Sequence, residues 1–324
     1  MPLKNLFNIL RIGLAVILLV WLLTKVNIKE SLLLLRNANL LFLFFALIVF
    51  LGLILISVWR WKIILDASCQ YFTTSYLTKV YFACWFFNNI LPTSIGGDVI
   101  RVVYTMRENN KALAFSATLV DRMIGFVGLF FFALCASLSL LILKQKTSFL
   151  LLNVLGFLIL IFVVLILFSD RAHQLFSKIF SRIKILRAGE IFEKLYTAIK
   201  EYRKFKMALF QSFILSLLLQ ADLALTWYFA GYAVGTRISV IYYFLYIPIV
   251  GLLTMIPLTI GGLGIRENSF VAFFSNLGIS SASATSTSLL FLVINFIYAL
   301  IGSVVFLFLK KSKAKKEQYD VTIP

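Results

Sequence analysis

Two arginines frame the chemistry open to this chain. Arg101 and Arg266 each close the same unusual phrase, Leu91-Pro-Thr-Ser-Ile-Gly-Gly-Asp-Val-Ile-Arg101 and Ile256-Pro-Leu-Thr-Ile-Gly-Gly-Leu-Gly-Ile-Arg266. Laid over each other, Pro92/Pro257, Ile95/Ile260, Gly96/Gly261, Gly97/Gly262, Ile100/Ile265 and Arg101/Arg266 are identical. Proline donates no backbone hydrogen bond and paired glycines let the chain turn, so each phrase predicts a helix that stops, turns and restarts. The new helices are expected to begin near Asp98 and near Gly264, with the arginine about one turn in. Glycine amides, a helix N-terminus and a guanidinium together suit a phosphate-sized anion. A structural reading stands beside this one: Asp98 caps its helix and pairs with Arg101, Arg266 pairs with Glu267, and the loops lock the fold.

Three further positions carry charge where charge is informative. Asp121-Arg122 lies early in a long helix expected from Ala112 to Leu143, either as a functional pair or as a pair at the membrane border that holds the first hairpin. Asp222, with Gln220, falls within an apolar run without an adjacent cation in sequence, a candidate proton or headgroup partner unless it lies near the outer end of its span. The single histidine, His173, sits in a basic stretch and reads as solvated surface. Aromatic runs at 81–87 and 227–229 read as interface anchors and packing. Cys69, Cys84 and Cys135 lack CxxC spacing, so neither a disulfide framework nor a metal site is indicated. No GxxxxGK[ST] phosphate loop occurs, and no cofactor is expected.

The elements that position these residues must lie in a membrane. Hydrophobic residues make up 61% and charged residues 14% of 324, and mean hydropathy is +0.99; soluble domains are roughly 45–50% apolar and about 25% charged. Uncharged stretches at 37–59, 123–143, 147–169 and 268–309 reach the roughly 20 residues of a spanning helix. Leu6 to Leu23, with Arg11 snorkelling, reads as an uncleaved first span rather than a signal peptide. The expected fold is therefore an all-α polytopic membrane protein, a single integral membrane domain over 1–324.

Charge orients it. The net charge of +18 concentrates in two places: ten basic and four acidic residues between Ser169 and Lys206, and five lysines between Lys310 and Lys316. The positive-inside rule makes both cytoplasmic, and with them both termini. Apolar residues at helical spacing in the first stretch fit amphipathic helices on an anionic inner leaflet, and an ordinary solvated basic loop fits equally. Nothing beyond charge suggests nucleic acid. Counting crossings from these anchors puts each Gly-Gly phrase at the tip of a hairpin, 76–107 and 240–275, that enters and leaves by one face. Three crossings separate them, so the hairpins enter from opposite faces. About six full spans plus two re-entrant half-helix hairpins then form an inverted repeat, roughly 38–143 and 207–309, separated by the basic loop 169–206 and followed by the tail 310–324. In such repeats, Gly/Pro-interrupted segments meet near the midplane and build the binding site.

The run Pro-x-x-x-Gly-Gly-Asp-x-x-Arg, followed by Lys111-Ala112, Ser116 and Asp121-Arg122-x-x-Gly125, with a later Pro-x-x-x-Gly-Gly-x-Gly-x-Arg-Glu, resembles the lysylphosphatidylglycerol synthase transmembrane family, the membrane half of the multiple peptide resistance factor. The resemblance covers nearly the whole chain. It implies a bacterial or archaeal inner-membrane protein that translocates lipids, with Asp98, Arg101, Asp121, Arg122, Arg266 and Glu267 as functional positions. In the resistance factor a soluble aminoacyl-transferase domain follows; here only the basic tail 310–324 does, so lysyl transfer by this chain is not implied, and the lipid does not carry over. The expectation is a lipid translocase that binds an anionic or aminoacylated, phosphate-containing headgroup at Pro92, Gly96, Gly97, Asp98, Arg101, Asp121, Arg122, Pro257, Gly261, Gly262, Arg266 and Glu267, with Asp222 as a candidate for proton coupling. Its partners would be membrane lipids and a lipid-synthesising enzyme. Two rivals from other classes are a membrane subunit of a lipid-modifying transferase, which would use the same carboxylates in acid–base chemistry, and a scaffold that recruits a partner to the basic loop.

Overall fold

The computed structural model describes residues 28–90, 96–106, 111–142, 151, 154–159, 161–162, 196, 200, 202–255, 262 and 264–310. Outside them lie the first expected span at 6–23, Pro92, Pro257, Gly261, most of the run 147–169, nearly all of the basic loop and the tail from 311. Helix is the regular structure throughout, and no strand occurs among the described residues.

A short helix, α1 (Ile28–Arg36), leads into α2 (Leu40–Ala67), which Asn39 caps by accepting a 2.9 Å bond from the Leu41 amide. The chain continues through α3 (Thr74–Ile90), α4 (Gly96–Thr105) and α5 (Lys111–Ile142), and resumes with α6 (Lys206–Ala233), α7 (Val240–Met255), α8 (Ile265–Ser275) and α9 (Ser281–Leu307). Four of these, α2, α5, α6 and α9, are long and apolar enough to cross a membrane. Their outer faces carry large apolar side chains such as Leu40, Phe44, Phe210, Leu218, Leu300 and Val304, exposed in the absence of lipid.

The helices α2 to α5 have lengths of 28, 17, 10 and 32 residues, and α6 to α9 have 28, 16, 11 and 27. At 1.5 Å per residue the inner pair of each set is only about 15–25 Å long, short of the roughly 30 Å hydrocarbon core. The two sets also pack alike. Exchanging α2–α5 for α6–α9 turns each main contact among these eight helices into another that is present: α3 on α9 becomes α7 on α5, α2 on α5 becomes α6 on α9, α4 on α5 becomes α8 on α9. The helices that pack across the middle, α2 and α6, are equivalent to each other, and they run antiparallel. Phe42 meets Tyr232, Phe45 meets Phe229, Gly52 meets Asp222 and Arg60 meets Ser216. Equivalent helices in antiparallel contact require a two-fold axis across them, which is the relation of an inverted repeat.

Two apolar cores lie along α2. One gathers Phe50, Trp227, Tyr243, Phe270, Phe274 and Phe291 from α2, α6, α7, α8 and α9; in it the Trp227 ring is stacked between Phe270 at 4.5 Å and Phe291 at 4.2 Å. Trp227 is thus core packing and not an interface anchor. The other gathers Val58, Trp61, Ile64, Leu77, Val80 and Val120, and closes at its end with Tyr196 and Tyr202 from the segment before α6. Two tyrosines near the close of the basic stretch are thus packed against the helices, while Lys200 and Lys204 beside them are exposed. Gly302 of α9 lets α3 approach: a β-carbon there would lie 2.1 Å from the Phe82 carbonyl oxygen.

Candidate functional site

The first hairpin begins its second arm two residues before Asp98. Helix α4 starts at Gly96, and the Gly97 amide is bonded by Asn88 Oδ1 of α3 at 2.8 Å, so Asn88 rather than Asp98 satisfies the exposed amide at this helix start. That amide is committed within the hairpin. Asp98 and Arg101, three apart, share one face of α4, and that face meets Asp121 and Arg122 of α5.

Here the charges cross over. Asp121 and Arg122 do not pair with each other: Asp121 Oδ2 takes Arg101 Nη2 at 2.7 Å, and Asp98 Oδ2 takes Arg122 Nε at 2.7 Å. Asp98 also lies 3.5 Å from Arg101 Nη1. A residue just beyond the uncharged run 37–59 completes the set. Arg60 of α2 donates its Nε to Asp121 Oδ1 at 2.8 Å and its Nη1 to Ser216 Oγ of α6 at 2.9 Å. Gly125, one turn beyond Asp121, leaves room for it; a β-carbon there would be 3.2 Å from Arg60 Nη1. Arg101 is 5% exposed and Asp121 0%, and the Arg101 guanidinium lies 4.4 Å from the Trp61 ring centroid. Among the described residues these contacts join three guanidiniums to two carboxylates. The cluster ties α2, α4, α5 and α6 at one level.

The second hairpin solves the same problem within itself. Gly264, at φ +82°, opens α8; its amide donates to Glu267 Oε2 at 2.6 Å. Arg266 holds the other carboxylate oxygen twice, from Nε at 2.9 Å and Nη2 at 2.7 Å. Glu267 is fully buried, and the Arg266 guanidinium lies 5.3 Å from the Phe291 ring centroid. Gly262 sits at φ +73° against Thr254 of α7. Both pairings of the structural reading, Asp98–Arg101 and Arg266–Glu267, are thus present, the first as the longest contact of its cluster.

Asp222 lies mid-way along α6, not at its outer end, with Oδ1 close against Gly52 of α2. Its Oδ2 is buried without a hydrogen-bond partner among the described residues, as is Gln220 Oε1. No group of His, Cys, Asp and Glu among the described residues has a metal-binding arrangement, and Cys69, Cys84 and Cys135 are free thiols. Asn88, Arg60, Trp61 and Ser216 were the residues sequence reading missed. Trp61 left a trace: Trp227 follows it by 166 residues, nearly the 165 that separate Arg266 from Arg101.

A family model described as the lysylphosphatidylglycerol synthase TM region matches residues 8–302. A UPF0104 membrane protein of Pyrococcus horikoshii is 26% identical over 334 aligned positions, which cover 94% of this chain and 96% of that protein.

Proposed function

This chain belongs to the lysylphosphatidylglycerol synthase transmembrane family, and from that premise we propose that it is a lipid translocase. It moves a phosphate-containing, anionic or aminoacylated lipid across a bacterial or archaeal inner membrane, with both termini cytoplasmic. The observation that carries the reading is the pairing of two antiparallel-related halves, each with a short-armed hairpin whose arginine is held by a carboxylate, Arg101 buried and Arg266 partly buried. Charge held at depth in a membrane is expensive and by default marks a pathway. Two equivalent half-helix devices offered to opposite faces are what alternating access around one site needs. The headgroup phosphate is held between the two hairpins while one half rocks against the other along the α2–α6 seam. Movement is either downhill or coupled to proton uptake at a carboxylate, with Asp222 the candidate because one of its oxygens has no hydrogen-bond partner among the described residues.

The test is headgroup translocation of fluorescent phosphatidylglycerol in proteoliposomes, read by quenching from outside. Native chain accelerates loss of inner-leaflet protection, and the paired Arg101→Ala and Arg266→Ala variant does not. Absence of transport for every anionic lipid tried overturns the translocase reading and favours a subunit of a lipid-modifying enzyme.

A further inference from the structure

Among the described residues, both carboxylates that Arg101 touches are held by a second arginine, Asp121 by more bonds and Asp98 at shorter range. Asp121 is gripped by Arg60 through Nε at 2.8 Å and Nη2 at 3.2 Å, and Asp98 by Arg122 at 2.7 Å. Withdrawing Arg101 from both would leave each carboxylate still ion-paired. Withdrawing Arg122 would leave Asp98 with only the 3.5 Å contact to Arg101, and withdrawing Arg60 would leave Asp121 one bond in place of a two-bond grip and cost the Ser216 contact as well. Arg101 is also incompletely satisfied where it stands: its Nε is buried without a hydrogen-bond partner among the described residues, although the side chain is only 6% exposed. The Trp61 ring supports its flat face without consuming a donor.

We propose that this cluster is a docking site for a single phosphodiester monoanion, in which Arg101 turns from Asp121 to the phosphate while Arg60 and Arg122 stay behind as resident counter-ions. The inference rests on the lipid-carrier reading and sharpens it in two ways. The charge that Arg101 brings when it turns is one, which matches a phosphodiester and not a dianionic monoester. The two hairpins also differ in role. Arg266 is doubly bonded to an adjacent glutamate that also caps its own helix, so the second hairpin has no charge to spare. The first binds; the second holds its shape. Arg60 is then a positioning residue. By retaining Asp121 it lowers the cost of releasing Arg101.

This arrangement has a signature that simple bracing of the fold lacks, because a carboxylate competes with the ligand. The probes are short-chain phosphatidylglycerol, the matching diacylglycerol without phosphate, and water-soluble glycerophosphoglycerol, titrated calorimetrically onto the full chain in neutral detergent. One phosphatidylglycerol binds per chain, and diacylglycerol does not compete. Arg101→Gln weakens phosphatidylglycerol at least tenfold. Arg60→Gln weakens it about tenfold, since Asp121 then holds Arg101 alone. Asp121→Asn tightens it. The double variant Arg60→Gln with Asp121→Asn, which removes one charge of each sign at similar volume, restores native affinity or better, and this non-additivity is the decisive reading. If Arg101→Gln binds like the native chain, or if the double variant binds no better than Arg60→Gln while keeping native helicity, the proposal is overturned.

At about pH 8.5 a phosphomonoester carries close to two charges. Phosphatidic acid that binds there as tightly as phosphatidylglycerol overturns the monoanion match. Competition by glycerophosphoglycerol at equal concentration identifies the ligand as a free phosphodiester rather than a lipid. Binding with this pattern in a chain that fails to translocate lipid leaves the site standing and sinks the carrier reading; translocation undiminished by Arg101→Gln does the reverse.

Discussion

At the scale of single residues the two hairpins carry their charges in different ways, and the difference can be measured. Glu267 is 0% exposed and depends on Arg266 and the Gly264 amide. Arg266→Ala leaves that carboxylate without its cation and is expected to destabilise by about 3–5 kcal/mol, read as a lowered unfolding midpoint in detergent. Adding Glu267→Gln removes the uncompensated charge and recovers most of the loss. Asn88→Ala, which deletes the cap on Gly97, costs about 1 kcal/mol by comparison with other helix caps, on the same measurement. The charged members of the site were legible because charge inside an apolar chain has few innocent uses. Their partners were not, because the crossed pairing of Asp98 with Arg122 and Asp121 with Arg101 depends on which faces of α4 and α5 meet. Arg60 was hidden for a related reason: near the end of an apolar run it reads as a flanking cation, and only the tertiary fold turns it inward onto Asp121.

Among the helices, the breaks and the close approaches matter most. Proline and Gly-Gly predicted where helices would stop, and both second arms start within two residues of the expected position. The packing of α3 on α9 was beyond reach, since a glycine in an apolar helix is compatible with lipid exposure or with a tight crossing. Gly302 is the second case. Gly302→Leu drives a side chain into the backbone of α3 at Phe82, where a β-carbon alone would come within 2.1 Å of the carbonyl oxygen. Overpacking of this kind costs typically about 1–3 kcal/mol, and because the obstacle is backbone the upper end or beyond is expected, with loss of monodisperse protein on gel filtration. Gly278→Leu is the control for side-chain size in open space: nothing lies within 4 Å of its β-carbon position, and only its φ of +84° resists substitution.

The arrangement of the whole molecule follows from one contact surface. Helix α2 runs about 42 Å at 1.5 Å per residue, enough to cross the bilayer with some tilt, and α6 has the same 28-residue length. Because the two are antiparallel from Phe42–Tyr232 to Arg60–Ser216, the residues just beyond their C-terminal ends must lie on opposite faces. Cys69, exposed after α2, and Ser239, exposed after α6, mark those ends. In a chain carrying Cys84→Ser and Cys135→Ser, a membrane-impermeant maleimide should label Cys69 from one side only. Moving the thiol by Cys69→Ser with Ser239→Cys should reverse the side. Labelling of both from the same face would contradict the inverted relation of the halves and, with it, any mechanism in which the hairpins serve opposite leaflets. If the sides differ, their identity is decided by charge: Arg203 and Lys204 precede α6 and Lys206 opens it, so the positive-inside rule puts Cys69, beside that end of the bundle, in the cytoplasm and Ser239 outside.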